Sequence, residues 1–194
     1  TMNKLIKTVA AIHDLSGSGR GSLTTVIPIL SAMGVRVCPM PTAILSATTE
    51  FEHYSFLDLT DYLPEYISNW EKNHITFDCI YSGFLGSSKQ IEIVSNFIDT
   101  FKKEDTLVVI DPVLGDNGTL YETMDEQMVC LMKTLKKQAH IITPNFTEAR
   151  YLLGESCNRN SSNKISFFEI KERLTELSDM GPEIVVITGV PDED

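Results

Sequence analysis

Short apolar runs alternate with segments of helical periodicity along this chain of 194 residues. The runs predict strands at residues 7–12, 35–39, 78–82, 106–110, 140–143 and 183–188. Between them, apolar side chains recur every three or four positions, as at Ile91, Val94, Ile98 and Phe101, and this spacing predicts helices that pack by one face. The alternation predicts an α/β fold, a mostly parallel open sheet with helices on both faces and a Rossmann-like core.

Length and composition limit the architecture and the partners. A chain of 194 residues that is 42% hydrophobic is long enough for one good core, so we expect a single domain over residues 1–194. No apolar stretch approaches the roughly 20 residues that span a bilayer, and no signal-peptide pattern is present. The net charge of -11 argues against a nucleic-acid partner. The four cysteines are scattered without a CxxC pair, which is typical of reduced thiols in a cytoplasmic protein.

The last predicted strand, at residues 183–188, is followed only by turn and polar residues up to Asp194. Parallel sheets rarely end in this way. We therefore expect the chain to be incomplete at its C-terminus.

The segment IITPNFTE at residues 141–148 joins the end of an apolar strand to the start of a helix. Asn145 and Glu148 are three positions apart, so they lie on one face near the helix N-terminus, where backbone dipoles favour phosphate. The same spacing is that of a capping box. Taken alone, the segment leaves a metal site and an ordinary helix cap both open.

Asp111 follows the strand at residues 106–110 and precedes Pro112. A carboxylate at the end of an apolar strand is costly unless it binds something, although a structural turn is an alternative. The carboxyl ends of parallel strands share one sheet edge, so Asp111, Asn145 and Glu148 together favour hydrated Mg²⁺, which needs few direct protein ligands.

A glycine-rich turn at residues 13–21 follows the first strand. It fails the GxGxxG fingerprint because Ser22 stands at the last glycine position, and no Gly-Lys-Ser/Thr follows as in a Walker loop. The turn is either a flexible binding loop or a tight strand-to-helix connection. His13 beside it could touch a ligand, and Phe84 after the third strand could stack on a flat ring or belong to the core.

In order and spacing, five motifs resemble the pyridoxal (pyridoxine, pyridoxamine) kinases of the ribokinase-like superfamily. They are DLSGSGR at 14–20, PTAILS at 41–46, SGFLGS at 82–87, IDPVLGD at 110–116 and TPNFTE at 143–148. The resemblance implies transfer of the ATP γ-phosphate to the 5′-hydroxymethyl group of a vitamin B6 vitamer. It also implies a homodimer.

The resemblance assigns a substrate site to Asp14, Thr49 and Phe84. It also assigns ATP and Mg²⁺ to a second set of residues. That set has Asp111, Thr143, Glu148 and Thr188 on the ATP side and Asp111, Asn145 and Glu148 around the metal.

The chain departs from the family pattern at several positions. It reads Ser46-Ala47-Thr48-Thr49 where many members have Ser-Asn-His-Thr, and Phe84 replaces a tyrosine. The Gly-x-Gly-Asp turn that carries the family's catalytic base does not occur in the 194 residues, so we expect no catalytic residue in this chain and no activity from it alone. The alternatives are a hydroxymethylpyrimidine kinase of thiamine synthesis and a non-catalytic vitamer-binding module.

Overall fold

The computed structural model describes residues 6–49, 51–155 and 165–190. Asp192, Asp194 and the polar stretch at residues 156–163, which includes Cys157, lie outside the described residues. The described chain forms two compact units, Thr1–Val108 and Val109–Asp194.

The first unit is built on parallel strands with one antiparallel edge. Strand β1 pairs in parallel with β2 and β4, and β2 pairs antiparallel with β3, giving the order β3-β2-β1-β4. The elements are β1 (Thr8–Ser16), α1 (Ser22–Ala32), β2 (Arg36–Leu45), β3 (Phe56–Asp58), α2 (Leu63–Lys72), β4 (Cys79–Ser82) and α3 (Ser88–Phe101).

The core of the first unit follows the predicted apolar faces. Ala10, Ala11 and Ile12 of β1 are fully buried. The rings of Trp70 and Phe97, from α2 and α3, lie 6.0 Å apart between centroids. This burial of one face per helix is why the periodicity located the helices correctly.

The second unit contains three parallel strands and a small hairpin. Strand β8 pairs in parallel with β5 and β9, and β6 pairs antiparallel with β7. The elements are β5 (Leu107–Ile110), which begins at the end of the first unit, β6 (Gly115–Asp116), β7 (Thr119–Leu120), α4 (Glu126–Leu135), a 3-10 helix (Lys136–Gln138), β8 (Ile141–Ile142), α5 (Phe146–Leu153), α6 (Phe167–Asp179) and β9 (Ile184–Val185).

The predicted α/β class with a mostly parallel sheet is confirmed, and all six predicted strands are present with altered bounds. Strand β2 continues through Pro39 and Pro41 because they pair with β1 on one side, whereas β3 reaches only Ala43–Leu45 on the other. A proline whose backbone nitrogen faces no partner strand does not remove a hydrogen bond from the sheet. Strands β3, β6 and β7 were not predicted. The expected single domain and C-terminal truncation stay predictions.

Within the described residues, no helix has the length and apolar character needed to cross a membrane.

Candidate functional site

Strand ends of the second unit bring together the residues that the sequence assigned to ATP and metal. Asp111 follows β5 and accepts a hydrogen bond from the Thr143 side chain, which follows β8. Asn145 forms a parallel bridge with Thr188, which follows β9. Glu148 lies in the first turn of α5. We call Asp111, Thr143, Asn145 and Glu148 the C-terminal cluster.

Asn145 and Glu148 form a reciprocal capping box at the start of α5. The Glu148 backbone N–H donates to Asn145 Oδ1 at 2.9 Å, and the Asn145 N–H donates to Glu148 Oε2 at 2.7 Å. The cap predicted as an alternative is therefore confirmed. It also uses two N–H groups that the sequence had left available for phosphate.

The same two side chains hold the segment after β5. The Leu114 N–H donates to Glu148 Oε1 at 3.1 Å, and Asn145 Nδ2 donates to the Gly115 carbonyl at 2.8 Å. Both carboxylate oxygens of Glu148 thus accept backbone N–H groups. The helix start and the loop after Asp111 are fixed as one piece of backbone.

Solvent is largely excluded from both carboxyl groups of the cluster, with Glu148 buried and Asp111 half-buried. Burial raises the pKa of Glu148 to about 7, and the nearby Asp111 charge adds to that rise, while backbone hydrogen bonds from Asn145, Leu114 and Gly115 oppose it. Burial likewise raises the pKa of Asp111 to about 6, against the opposing Thr143 hydrogen bond. Neither carboxylate has a Lys or Arg ion-pair partner in the part of the chain that is described.

This donor set fits a partly hydrated cation better than a closed metal cage. Among the described residues, no group of three or more His, Cys, Asp or Glu side chains is arranged to hold a metal. Mg²⁺ keeps several waters and is commonly bound by one or two carboxylates together with substrate phosphates. Glu148, which is buried, and Asp111, which is half-buried, match that requirement, since neither has a Lys or Arg ion pair among the described residues.

A hairpin that the sequence analysis missed packs beside α5. Strands β6 and β7 are joined by Asn117 and Gly118, with φ of 50° and 77°, as a two-residue type I′ turn requires. The Gly118 N–H donates to Thr147 Oγ1 at 2.9 Å. The Asn-Gly dipeptide was the sequence signal that could have revealed this hairpin.

The residues assigned to a substrate lie in the first unit, at or after the ends of the neighbouring strands β1, β2 and β4. Asp14 is 8% exposed and accepts hydrogen bonds from the hydroxyls of Ser16 and Ser22. Thr49 is exposed and Phe84 is half-buried. No hydrogen bond within the described chain links Asp14, Thr49 and Phe84 to one another.

The glycine-rich turn packs tightly on the segment after β2. The Gly17 N–H donates to the Leu45 carbonyl at 2.8 Å, and the Thr48 N–H donates to the Ser18 carbonyl at 2.9 Å. Gly19 has a φ of +104°, and a Cβ there would lie 2.5 Å from Thr48 Cγ2. The turn is therefore a tight connection that docks on the next loop, and its glycines permit close packing.

Three buried polar atoms near these strand ends have no hydrogen-bond partner among the described residues: His13 Nε2, Thr48 Oγ1 and Ser82 Oγ. We call His13, Asp14, Thr48 and Ser82 the N-terminal cluster. His13 is 4% exposed, and burial lowers its pKa to about 4, so its imidazole is neutral at physiological pH.

Gln90 is a fully buried residue that sequence reasoning missed. Its Nε2 donates to the Thr42 carbonyl and to Thr60 Oγ1, both at 2.9 Å, and its Oε1 accepts from the Gly86 N–H at 2.8 Å. Gln90 thereby ties the loop after β4 to β2. The Ser-x-x-Gln spacing from Ser87 was a capping-box signal for this helix start.

Solved structures are similar to nearly the whole chain. A putative phosphomethylpyrimidine kinase from Bacteroides thetaiotaomicron is 54% identical, with a TM-score of 0.92 over 99% of this chain and 65% of that one. Its orthorhombic crystal form contains pyridoxal and gives a TM-score of 0.91 over 97% and 65%.

Curated relatives are more distant. The pyridoxal kinase of Dictyostelium discoideum is 28% identical over 83% of this chain and 52% of its own length. The hydroxymethylpyrimidine/phosphomethylpyrimidine kinase of Bacillus subtilis is 30% identical over 58% and 38%. The chain thus spans about half or less of these two relatives and about two-thirds of the solved structure.

The model of the phosphomethylpyrimidine kinase family matches residues 19–194, which is most of the chain. The relatives include pyridoxal kinases, as the sequence motifs had indicated. This chain therefore belongs to the phosphomethylpyrimidine kinase family, as a pyridoxal-kinase-like member of the ribokinase superfamily.

Proposed function

We propose that the protein to which this chain belongs transfers the ATP γ-phosphate to the 5′-hydroxymethyl group of a vitamin B6 vitamer. The observation that carries the phosphoryl-transfer part is the pair Asp111 and Glu148, a half-buried and a buried carboxylate with no Lys or Arg ion pair in the described chain. The pyridoxal in the Bacteroides structure, at 54% identity, supports the choice of substrate.

On this proposal the C-terminal cluster binds Mg–ATP. Asp111 and Glu148 hold Mg²⁺ through its waters, with Asn145 beside them, and Thr143 and Thr188 lie on the ATP side. The metal, when bound, neutralises charge on the phosphates during transfer. The capping box positions the Glu148 carboxylate at the start of α5.

Asp14, Thr49 and Phe84 contact the vitamer. Phe84 offers a flat apolar face without the phenol of a tyrosine, and aromatic rings stack well on such a face. The base that removes the hydroxyl proton is the aspartate of a Gly-x-Gly-Asp turn, which does not occur in these 194 residues. Deprotonation therefore needs a residue from outside this chain.

Ligand-induced shifts in melting temperature test the two binding roles separately. We expect both pyridoxal and Mg–ATP to stabilise the chain, because a ligand at 100 times its Kd adds about 2.7 kcal/mol to the free energy of unfolding. Asp111→Ala removes the Mg–ATP shift and keeps the pyridoxal shift. Asp105→Ala, at an exposed turn, is the matched control and keeps both.

Three results would count against parts of this proposal. A pyridoxal shift without any Mg–ATP shift would support a vitamer-binding module that does not use ATP. An absence of both shifts would remove the proposed function. Vitamer-dependent ADP release by the 194-residue chain would contradict the need for an outside base.

Phosphorylation of hydroxymethylpyrimidine is the second candidate function, because the matching family is described as phosphomethylpyrimidine kinase and the Bacillus subtilis relative acts on that class of substrate by its name. Comparing the two ligands side by side for their shifts in melting temperature decides between them. The homodimer and the cytoplasmic location stay predictions.

A further inference from the structure

His13 is the buried titratable group that the proposed function leaves unused. It lies in β1, and its ring packs against the backbone of Gly83, the residue that follows β4. A Cβ at Gly83 would lie 2.1 Å from His13 Nδ1, so the imidazole occupies the space that a side chain at position 83 would fill. It also meets the Tyr81 ring edge-on, at 4.4 Å between centroids.

The contacts that fix the His13 ring leave one of its nitrogens unused. Nε2 is buried and has no hydrogen-bond partner in the described chain. A buried donor or acceptor left without a partner is costly, and each such group calls for an explanation. The His13 ring is therefore held in place by packing, while its Nε2 makes no hydrogen bond in the described chain.

The charge state of His13 limits what that atom can bind. Burial lowers the pKa of the imidazole to about 4, so His13 carries no charge with which to attract a phosphate or carboxylate. A neutral imidazole offers one N–H donor and one acceptor. A neutral imidazole nitrogen can therefore pair with an aromatic ring nitrogen, either as the donor to its lone pair or as the acceptor from its protonated form.

The position of His13 agrees with such a partner. Gly83, against which the imidazole packs, directly precedes Phe84, the residue proposed to cover the substrate ring. The neighbouring Asp14 carboxylate already accepts two hydroxyl hydrogen bonds. His13, the residue before Asp14 in β1, still has a ring nitrogen, Nε2, with no hydrogen-bond partner in the described chain.

We propose that His13 is a specificity-determining residue whose Nε2 forms a hydrogen bond with a ring nitrogen of the heteroaromatic substrate. The inference rests on the proposed function, because it needs a nitrogen heteroaromatic alcohol as ligand. It goes further by naming the substrate atom that is recognised.

A cycle of two proteins and two ligands tests the contact. The ligands are pyridoxal and its carbocyclic analogue, in which C–H replaces the ring nitrogen, and affinities are measured by calorimetry on the chain and on His13→Leu. We expect His13→Leu to weaken pyridoxal binding roughly 3- to 10-fold, the value of one hydrogen bond, and to leave the analogue unaffected. His13→Gln, whose amide can donate from a similar place, restores part of the pyridoxal affinity.

A spectroscopic arm separates contact from packing. The ¹⁵N resonance of His13 Nε2, assigned by its loss in His13→Gln, shifts on addition of pyridoxal and stays in place with the analogue. Equal weakening of both ligands by His13→Leu would mean that the imidazole only packs, and unchanged pyridoxal affinity would overturn the inference outright. If the unaltered chain binds no pyridoxal, the proposed function itself fails.

Discussion

The two clusters at the strand ends differ in how their polar groups are used. In the C-terminal cluster, the side chains of Glu148 and Asn145 form hydrogen bonds with backbone groups at the start of α5 and in the loop after β5. In the N-terminal cluster, three buried polar atoms have no partner in the described residues. One other such atom, Lys136 Nζ on the 3-10 helix, lies outside both clusters.

The difference separates two ways of preparing a site. The C-terminal cluster builds a rigid loop and helix start, and any ligand meets charges that are already fixed by the backbone. The N-terminal cluster is held by close packing around glycines, and three of its buried polar atoms have no hydrogen-bond partner in the described residues. A buried polar group that only supports the fold is expected to have hydrogen-bond partners. A buried polar atom without a partner is therefore a stronger indication of a ligand than one that already has its partners.

The two clusters also respond to protons with opposite sign. Burial raises the pKa of the carboxyl groups Asp111 and Glu148 and lowers that of the His13 imidazole. In all three groups, burial disfavours the charged form. A bound cation would compensate the negative charge of Asp111 and Glu148 in the C-terminal cluster.

The largest expected effect comes from Glu148→Ala. It leaves the N–H groups of Leu114 and Asn145 without their acceptor inside the protein, so we expect the free energy of unfolding to fall by roughly 2–4 kcal/mol. Urea denaturation measures the change. Glu169→Ala, in the exposed Ser166–Glu169 capping box of α6, is the matched control and should cost clearly less, because water can replace its hydrogen bonds. Equal losses would show that burial adds nothing to the Asn145–Glu148 box.

Gly83→Ala tests the packing of the N-terminal cluster. The added methyl group would meet the His13 ring at 2.1 Å, so we expect a loss of about 1–3 kcal/mol from overpacking. His13→Ala in the same chain makes room and should make the Gly83→Ala step nearly neutral. If the loss persists in the His13→Ala background, the backbone at position 83, rather than the imidazole, is what requires glycine.

The pH dependence of stability compares the clusters directly. Between pH 4.5 and 7 the folded chain binds more protons at Glu148, whose pKa rises from 4.5 to about 7, so this contribution to stability is lost as pH rises. His13 binds fewer protons when folded, because its pKa falls from 6.5 to about 4, so its contribution is gained over that range. Each group can change the slope by at most about 1.4 kcal/mol per pH unit.

Variants separate these two contributions. Glu148→Gln should make the loss of stability from pH 4.5 to 7 shallower, and His13→Leu should make stability fall more steeply between pH 4 and 6.5. Chemical denaturation at a series of pH values gives both slopes. Slopes that change in the same direction in the two variants would contradict the opposite shifts.

The smallest effects come from two threonines changed to the isosteric valine. Thr147 Oγ1 accepts from the Gly118 N–H at 2.9 Å, so Thr147→Val should cost about 1 kcal/mol. Thr48 Oγ1 has no partner in the described chain, so Thr48→Val should change the stability of the ligand-free chain by less than about 0.5 kcal/mol. A clear destabilisation by Thr48→Val would mean that the Thr48 hydroxyl makes a contact that supports the fold.

Prediction from sequence succeeded where one local pattern dominates. The stripe of Ile91, Val94 and Ile98 placed α3, and the Asn145–Glu148 spacing gave the capping box, because both depend on residues a few positions apart. The hairpin of β6 and β7 was missed although Asn117-Gly118 signals it, since each strand has only two residues and no alternation to detect. The partners of Gln90 were out of reach, because Thr42 lies 48 positions away.

The sequence by itself determined the alternation of strands and helices, the family motifs and the residues at each strand end, because hydrophobic period and motif order are local properties of the chain. Only the tertiary structure decided which polar atoms form hydrogen bonds. Both carboxylate oxygens of Glu148 accept from backbone N–H groups, whereas Nε2 of His13 has no partner in the described residues. Burial and hydrogen bonding depend on neighbours far apart in sequence. They set the pKa values in each cluster and decide which polar atoms lack a hydrogen-bond partner.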